Sequence, residues 1–338
     1  MKVKLLFLAT RPGFLTASAV PVLVGLAGGW LATQRFDPLG AAGILAAALL
    51  VHAGADMMND YDDHASGADQ ANHEGIPPFS GGSRMIQMGA LTPGVVRRTA
   101  LALLGAGAAL LGLLTLRAGP LMLLFGAIGL VSSLTYTGRP FSLASRGLGE
   151  VVVGLNFGPV LVGAGYYVQA RAFAAPAMAA ALPMAFLVMA ILYLNEFPDY
   201  QGDRAAGKGT LVVRLGRRRA SYGYAALAGL AYASIVMAVL LRQLPVQALI
   251  GLGSLPLGVG AARTVRRHYD EPVAMSPAIV QTIVNHLLTG LLLVVAFWSA
   301  AVGSAGPLAA GGGLAVIASL RSYAAMDGLR RAAVAGRG

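Results

Sequence analysis

Residues 177–203 read AMAAALPMAFLVMAILYLNEFPDYQGD. The first part, Ala177–Leu194, carries no charge and is apolar nearly throughout. A helix needs about 20 mostly apolar residues to cross the hydrocarbon core of a bilayer, and this stretch supplies them. Polarity then switches at once. Asn195-Glu196-Phe197-Pro198-Asp199-Tyr200-Gln201-Gly202-Asp203 sets Asn195, Asp199 and Asp203 four residues apart, one turn each along a single helical face. The stretch is a membrane-spanning helix whose end presents carboxylates in a row.

The same pattern occurs 136 positions earlier. The apolar run Gly40–Ala55 ends in Asn59-Asp60-Tyr61-Asp62-Asp63 and continues to Asp69. Further apolar runs cover Phe14–Trp30, Thr99–Leu116, Leu121–Leu134, Val151–Val168, Tyr222–Leu241, Val246–Ala262 and Ile279–Ala301. The expected fold is all-α, a polytopic membrane bundle of about nine transmembrane helices, with two pseudo-repeated halves around a central cavity. It occupies the whole chain, 1–338, as a single integral-membrane domain. Residues 303–338 are the least determined part, since the short Gly-rich run Pro307–Leu320 fits a tenth span, a re-entrant piece or a surface helix.

Composition agrees. Apolar residues make up 57% of the chain and charged ones 12%, against roughly 25% charged in a soluble domain; mean hydropathy is +0.69. That excludes a soluble globular protein and a disordered one. Continuous rather than alternating apolar runs argue against a β-barrel. The 45 glycines suit close helix packing in lipid. With no cysteine there is no disulfide framework, Cys-ligated metal or thiol nucleophile.

Lys2 and Lys4 with Leu5–Ala9 look faintly like a signal peptide, but Arg11-Pro12 breaks the run, so a short pre-helix before a retained span is expected. The N-terminus and every second loop carry seventeen Lys and Arg, while the alternate loops carry only Arg35, Arg117, Arg171 and Arg242. That bias places the first set, and both acidic windows, on the cytoplasmic side. Arg321, Arg330, Arg331 and Arg337 favour the same side, which argues for a tenth crossing. The net charge of +11 is therefore a topology signal rather than a sign of nucleic acid, with anionic headgroups or a diphosphate as secondary partners.

Nine of the fourteen acidic residues fall in the two windows, and ionisable groups near lipid are costly. If the two helix ends meet, carboxylates and amide oxygens face each other, a donor set for Mg²⁺ and not for zinc. The candidate ligands are Asn59, Asp60, Asp63, Asp69, Asn195, Asp199 and Asp203. Asp37, Asp62, Asp270, Glu271 and Asp327 read as solvated charges, and Glu150 as a residue opening a helix. Asp56 lies inside a span and needs a partner or a site. His52, Asn156, Asn285 and His286 are expected to be satisfied by neighbouring helices, with an acceptor-pocket role open for His52. Behind the windows lie Pro77-Pro78-Phe79-Ser80-Gly81-Gly82-Ser83-Arg84 and Arg204–Thr210, basic loops whose glycines let backbone N–H groups approach an anion. Two such loops behind two carboxylate sets point to a metal-bridged polyphosphate. Cation-coupled transport and a membrane phosphatidyl-group transfer are weaker readings, since transporter sites lie near the midplane and these carboxylates lie at span ends.

With these motifs the chain resembles the UbiA superfamily of intramembrane prenyltransferases. Asn59-Asp60-x-x-Asp63 resembles its first motif; Asn195-x-x-x-Asp199-x-x-x-Asp203 with Gly207-Lys208-x-Thr210-Leu211 and Arg214-Leu215-Gly216 resembles its second. Arg11-Pro12 and Tyr136-Thr137-Gly138 add to the likeness. The resemblance implies Mg²⁺ held by Asn59, Asp63, Asp199 and Asp203, with Asp63, Asp199 and Asp203 as the catalytic carboxylates. It implies a polyprenyl diphosphate donor reached by Arg84, Arg139, Lys208 and Tyr136, an aromatic acceptor, and membrane lipid around the enzyme. The expected location is the bacterial cytoplasmic membrane. Gly67-x-Asp69 and Gly-Lys-x-Thr-Leu are most similar to the menaquinone branch, whose acceptor is 1,4-dihydroxy-2-naphthoate; 4-hydroxybenzoate, homogentisate and a non-aromatic lipid precursor are the alternatives. Pro198 stands where that branch usually has Arg, and Asp56 where relatives often have Asn.

Overall fold

In lipid a lone segment can satisfy its backbone N–H and C=O groups only within itself, so each apolar run is helical. The computed structural model describes residues 2–76 and 79–335. Pro77, Pro78 and Arg337 lie outside the described residues, as does the side chain of Lys2. A lead helix, α1 (Lys2–Ala9), precedes α2 (Thr16–Thr33), α3 (Pro38–Ser66), α4 (Pro93–Ala118), α5 (Leu121–Thr135), α6 (Gly149–Ala170), α7 (Ala175–Ala205), α8 (Arg217–Leu240), α9 (Val246–His268), α10 (Pro272–Val302) and α11 (Gly306–Ala335). Nine of these are long and apolar enough to cross a membrane, and α5 is shorter at 15 residues. The protein is an integral-membrane helix bundle, and the described residues contain no strand.

Local signals set the ends. Asp37 caps α3 by accepting from the Gly40 N–H at 3.0 Å, and proline opens α3, α4, α7 and α10, where its missing N–H costs nothing. Gly67, at φ 82°, ends α3 in the left-handed conformation and turns the chain back toward the bundle. Within α6, Pro159 offers no N–H, and Asn156–Val160 widens into a π turn. The helix α10 is the most enclosed and packs against α2, α7, α9 and α11. The pair α2 and α6 approach so closely that a Cβ on Gly25 would lie 2.1 Å from the Val162 carbonyl oxygen, the contact that small residues permit in membranes.

The tail resolves as a full helix. Arg330 donates to Ser276 Oγ at 3.2 Å, so the C-terminal end of α11 returns to the start of α10, which follows the basic last turns of α9 with Arg263, Arg266 and Arg267. Asp327 is not a solvated charge: it is buried and accepts from Arg330 and Arg331 at 2.7 and 2.8 Å. Asp37 likewise accepts from Arg117 Nε and Nη2, at 3.0 and 2.9 Å, and from Arg171 at 3.3 Å. Two of the four cations on the sparsely charged side are thus spent on one internal carboxylate. Asp270 pairs with Arg217 at 3.3 Å, and Asp62 accepts from Thr137 Oγ1 at 2.8 Å.

Candidate functional site

The helices α3 and α7 run in the same sense and deliver both acidic windows to the basic end of the bundle. There they line a single cavity of about 310 Å³, walled by Asn59, Asp63, Asp69, Asn195, Asp199, Asp203, Lys208 and Tyr136. The cavity continues down α3 as far as Ile44, 19 positions from Asp63 and so roughly 28 Å along the helix axis. Its deeper walls are apolar: Ala47, Ala48, Leu111, Phe125, Val160 and Ala164. It also reaches between α5, at Gly129, Ser132 and Ser133, and the first part of α6, at Val152, Val153 and Asn156. Here α5 packs mainly on the π turn and the outer part of α6, so the inner parts of the two helices spread apart.

Two contacts join the windows. Lys208 Nζ donates to Asp63 Oδ1 at 2.6 Å and stands 3.6 Å from Asp203 Oδ1. Asn72 Nδ2 donates to Asp199 Oδ1 at 2.6 Å, and the Gly81 N–H donates to Asp199 Oδ2 at 3.2 Å. Burial alone would lower the Lys208 ammonium, but Asp63 and Asp203 more than offset it and hold it above its ordinary value. Asp69 is pushed up to about 7 by burial and by the nearby Asp63 and Asp60. Burial, then the neighbouring Glu196 and Glu150, raises the Tyr136 phenol well above its ordinary value, so it is a neutral hydrogen-bond donor at pH 7.

Three expected site residues lie elsewhere. Asp60 does not line the cavity: it is buried in an ion pair with Arg11 and accepts from the Ser83 N–H at 3.1 Å, which occupies the carboxylate. Arg84 turns inward, donating to the Asp69 and Asn72 carbonyls at 2.6 and 3.2 Å, and so shapes the loop rather than facing an anion. Arg139 is exposed and outside the cavity lining. Asn59 faces the cavity, but its Oδ1 accepts from Arg11 at 3.2 Å. The loop at Ser80–Arg84 is pinned through the Gly81 and Ser83 N–H groups.

Sequence reasoning missed Asn72 altogether, and no spacing rule links it to Asp199, 127 positions away. It gave Arg11 a topological role and a share in the family likeness, but no contact at the site. Glu150 opens α6 as expected but is buried against Glu196, whose Oε2 accepts from the Val212 N–H at 3.2 Å. Asn285 Oδ1 accepts from Tyr232 at 2.8 Å and Asn156 bonds its own helix at Val152, whereas Asn285 Nδ2 and His286 Nε2 have no partner among the described residues.

Do these residues suit a hard divalent cation? The donors are all oxygens, and Asn195 Oδ1 is a buried acceptor on the cavity wall with no hydrogen-bond partner. The Lys208 ammonium already sits as a tethered cation between carboxylates of the two windows. Both observations fit. Among the described residues no three His, Asp or Glu side chains stand close enough to hold an ion unaided. A bound diphosphate would have to complete the ligand set.

The UbiA prenyltransferase family matches residues 18–278. The 1,4-dihydroxy-2-naphthoate octaprenyltransferase of Escherichia coli K12 is 33% identical over 295 residues, 84% of this chain and 92% of that protein. The 2-carboxy-1,4-naphthoquinone phytyltransferase of Synechocystis is 26% identical over 303 residues, 89% and 95% of the two chains. Among solved structures, the fold is similar to a UbiA homolog from Archaeoglobus fulgidus bound to DMAPP and Mg²⁺, with TM-score 0.61 and 14% identity over 88% of this chain and 99% of that one. A UbiA homolog from Aeropyrum pernix K1 gives TM-score 0.62 and 19% identity over 83% and 97%.

Proposed function

We propose that this chain, which belongs to the UbiA prenyltransferase family, transfers a polyprenyl group from its diphosphate to 1,4-dihydroxy-2-naphthoate with Mg²⁺ as cofactor. One observation carries the reading: two acidic windows far apart in sequence share one cavity that is polar where they meet and has mostly apolar walls at its deep end. Diphosphate belongs at the polar end and the prenyl tail in the apolar part, with the gap between α5 and α6 as its way to the bilayer. The dihydroxynaphthoate acceptor is supported by the names of the relatives from Escherichia coli and Bacillus subtilis.

Asn195, Asp63, Asp199 and Asp203 would hold Mg²⁺, whose chemistry when bound is to neutralise charge on the diphosphate oxygens. Asn72 and the Gly81 N–H fix the Asp199 carboxylate in place. Lys208, anchored by Asp63, and the Tyr136 hydroxyl supply further positive charge and a hydrogen-bond donor to the leaving group. As the allylic C–O bond breaks, its electron pair leaves with the diphosphate. The ring's π electrons form the new C–C bond, and the ring sheds the proton or carboxyl group from the attacked carbon to recover aromaticity. The apolar walls exclude the water that would otherwise trap the allylic cation. The basic loops around the polar end support an active site on the cytoplasmic side of a bacterial inner membrane.

The test is a membrane assay with labelled polyprenyl diphosphate, Mg²⁺ and a panel of acceptors that includes 1,4-dihydroxy-2-naphthoate, 4-hydroxybenzoate and homogentisate. Product on the naphthoate that disappears with EDTA and returns with Mg²⁺ is the expected result. Transfer that survives thorough chelation refutes the cofactor, and a preference for another ring refutes the acceptor.

A further inference from the structure

Below the carboxylates the cavity has a second polar station that the diphosphate chemistry leaves unused. His52 and Asp56 lie on the α3 face that lines the cavity, opposite Phe157 in the π turn and beside Ser18 on α2. Asp56 is seven positions before Asp63, so it lies about 10 Å deeper along the helix, the level at which an acceptor ring would meet the reacting carbon of a donor held at the polar end. Asp56 Oδ2 is buried and has no hydrogen-bond partner. A buried carboxylate oxygen left unpaired is expensive, which points to a partner supplied from the cavity.

The surroundings specify that partner. Ser18 Oγ stands 2.8 Å from His52 Nδ1; with the hydroxyl donating, the ring proton resides on Nε2. That nitrogen lies 3.7 Å from Asp56 Oδ2, too far for a hydrogen bond. The opening between them suits a group that accepts from Nε2–H and donates to the carboxylate. A hydroxyl does both; a carboxylate or a quinone carbonyl has no proton to give. The Phe157 ring meets His52 edge-on, with centroids 5.0 Å apart, and offers a flat apolar wall. Arg11, also on the cavity lining, pairs through Nη2 with Asp60 and Asn59, and its buried Nε–H has no partner.

Resting on the prenyl-transfer reading, we propose that Ser18, His52, Asp56 and Phe157 form the acceptor subsite, and that it selects the hydroxylated, reduced ring by clasping one hydroxyl between His52 Nε2–H and Asp56. The ring is thereby held by an oxygen that pushes electron density toward the carbon being prenylated.

The experiment measures steady-state prenyl transfer in membranes under reducing conditions, with 1,4-dihydroxy-2-naphthoate and each of its two mono-O-methyl ethers. Asp56→Leu should raise the acceptor KM about tenfold or more, the loss of one charge-assisted hydrogen bond, and leave the donor KM unchanged. Asp56→Asn keeps an accepting oxygen and should recover most of the loss. On the ether that blocks the clasped hydroxyl, wild type and Asp56→Leu should perform alike. Ser18→Ala, which frees the imidazole, should raise the acceptor KM several-fold and serves if Asp56→Leu does not fold. An active wild type whose variants lose equally on the naphthoate and both ethers, or shift the donor KM instead, overturns the subsite alone. A wild type that prenylates no hydroxylated ring overturns the prenyl-transfer reading and the subsite with it.

Discussion

Lys208 is a cation standing between the carboxylates of the proposed metal site, and replacing it with methionine separates two of its proposed roles. Its ammonium donates to Asp63 at 2.6 Å and faces Asp203 at 3.6 Å. For a divalent ion to use those carboxylates without donor present, Lys208 must give up at least one charge-assisted hydrogen bond, worth about 1.5–3 kcal/mol. Each 1.4 kcal/mol is about tenfold in affinity, so Lys208→Met should bind Mn²⁺ roughly 10- to 100-fold more tightly than wild type when no diphosphate is present. Turnover should move the opposite way, falling by about 100-fold or more with the loss of a charge aimed at the leaving group. Mn²⁺ titration of the detergent-solubilised protein by calorimetry or electron paramagnetic resonance reads the first effect, and prenyl transfer at saturating Mg²⁺ the second. A folded Lys208→Met protein, melting near the wild-type temperature, with unchanged or weaker Mn²⁺ binding would show that Lys208 does not compete with the ion.

Other outcomes are equally direct. Asn72→Ala removes the shorter of the two hydrogen bonds that Asn72 and Gly81 give Asp199 and should cut turnover about 10- to 100-fold, the cost of a hydrogen bond to a charged group; activity near wild type would remove Asn72 from the site. Arg139→Ala changes an exposed side chain outside the cavity and should leave the donor KM within about twofold; a large rise would place it at the diphosphate after all. Asp63→Ala and Asp199→Ala should each abolish transfer while expression persists, and either one retaining near-normal turnover at saturating Mg²⁺ would refute the paired-window site. Asp37 tests stability away from the site: the hydrogen bond from Arg117, with the Gly40 N–H, holds its carboxyl down at about 2. A depressed carboxyl stabilises the fold above its unfolded pKa, and that contribution fades as pH falls through the folded value. Asp37→Asn should therefore lower stability by about 1 kcal/mol at neutral pH, the full shift being discounted for partial exposure. The gap from wild type should hold above pH ~4 and close toward pH ~2; a gap independent of pH would mean that the loss is in capping alone.

Composition and local pattern were enough for the fold class, for the gathering of the basic loops at one end of the bundle and for the position of the two windows. Hydropathy and helical periodicity are local, and in lipid they leave the backbone no choice but helix. Asn195, Asp199 and Asp203 share a face because they are four residues apart, whatever surrounds them. Which carboxylates are free to act was settled by packing. Asp60 and Asp63 belong to one motif three residues apart, yet Asp60 is spent on Arg11 from the first bend of the chain while Asp63 faces Lys208 across the cavity. Asn72 meets Asp199, and Arg84 turns from an expected anion to the carbonyls of its own loop, through contacts with no trace in spacing. Asp37 and Asp327, alike in sequence to solvated charges, proved to be arginine-bound anchors. A hydrogen bond is directional and acts over about 3 Å. Which polar groups satisfy one another is therefore fixed only when helices distant in sequence pack side by side.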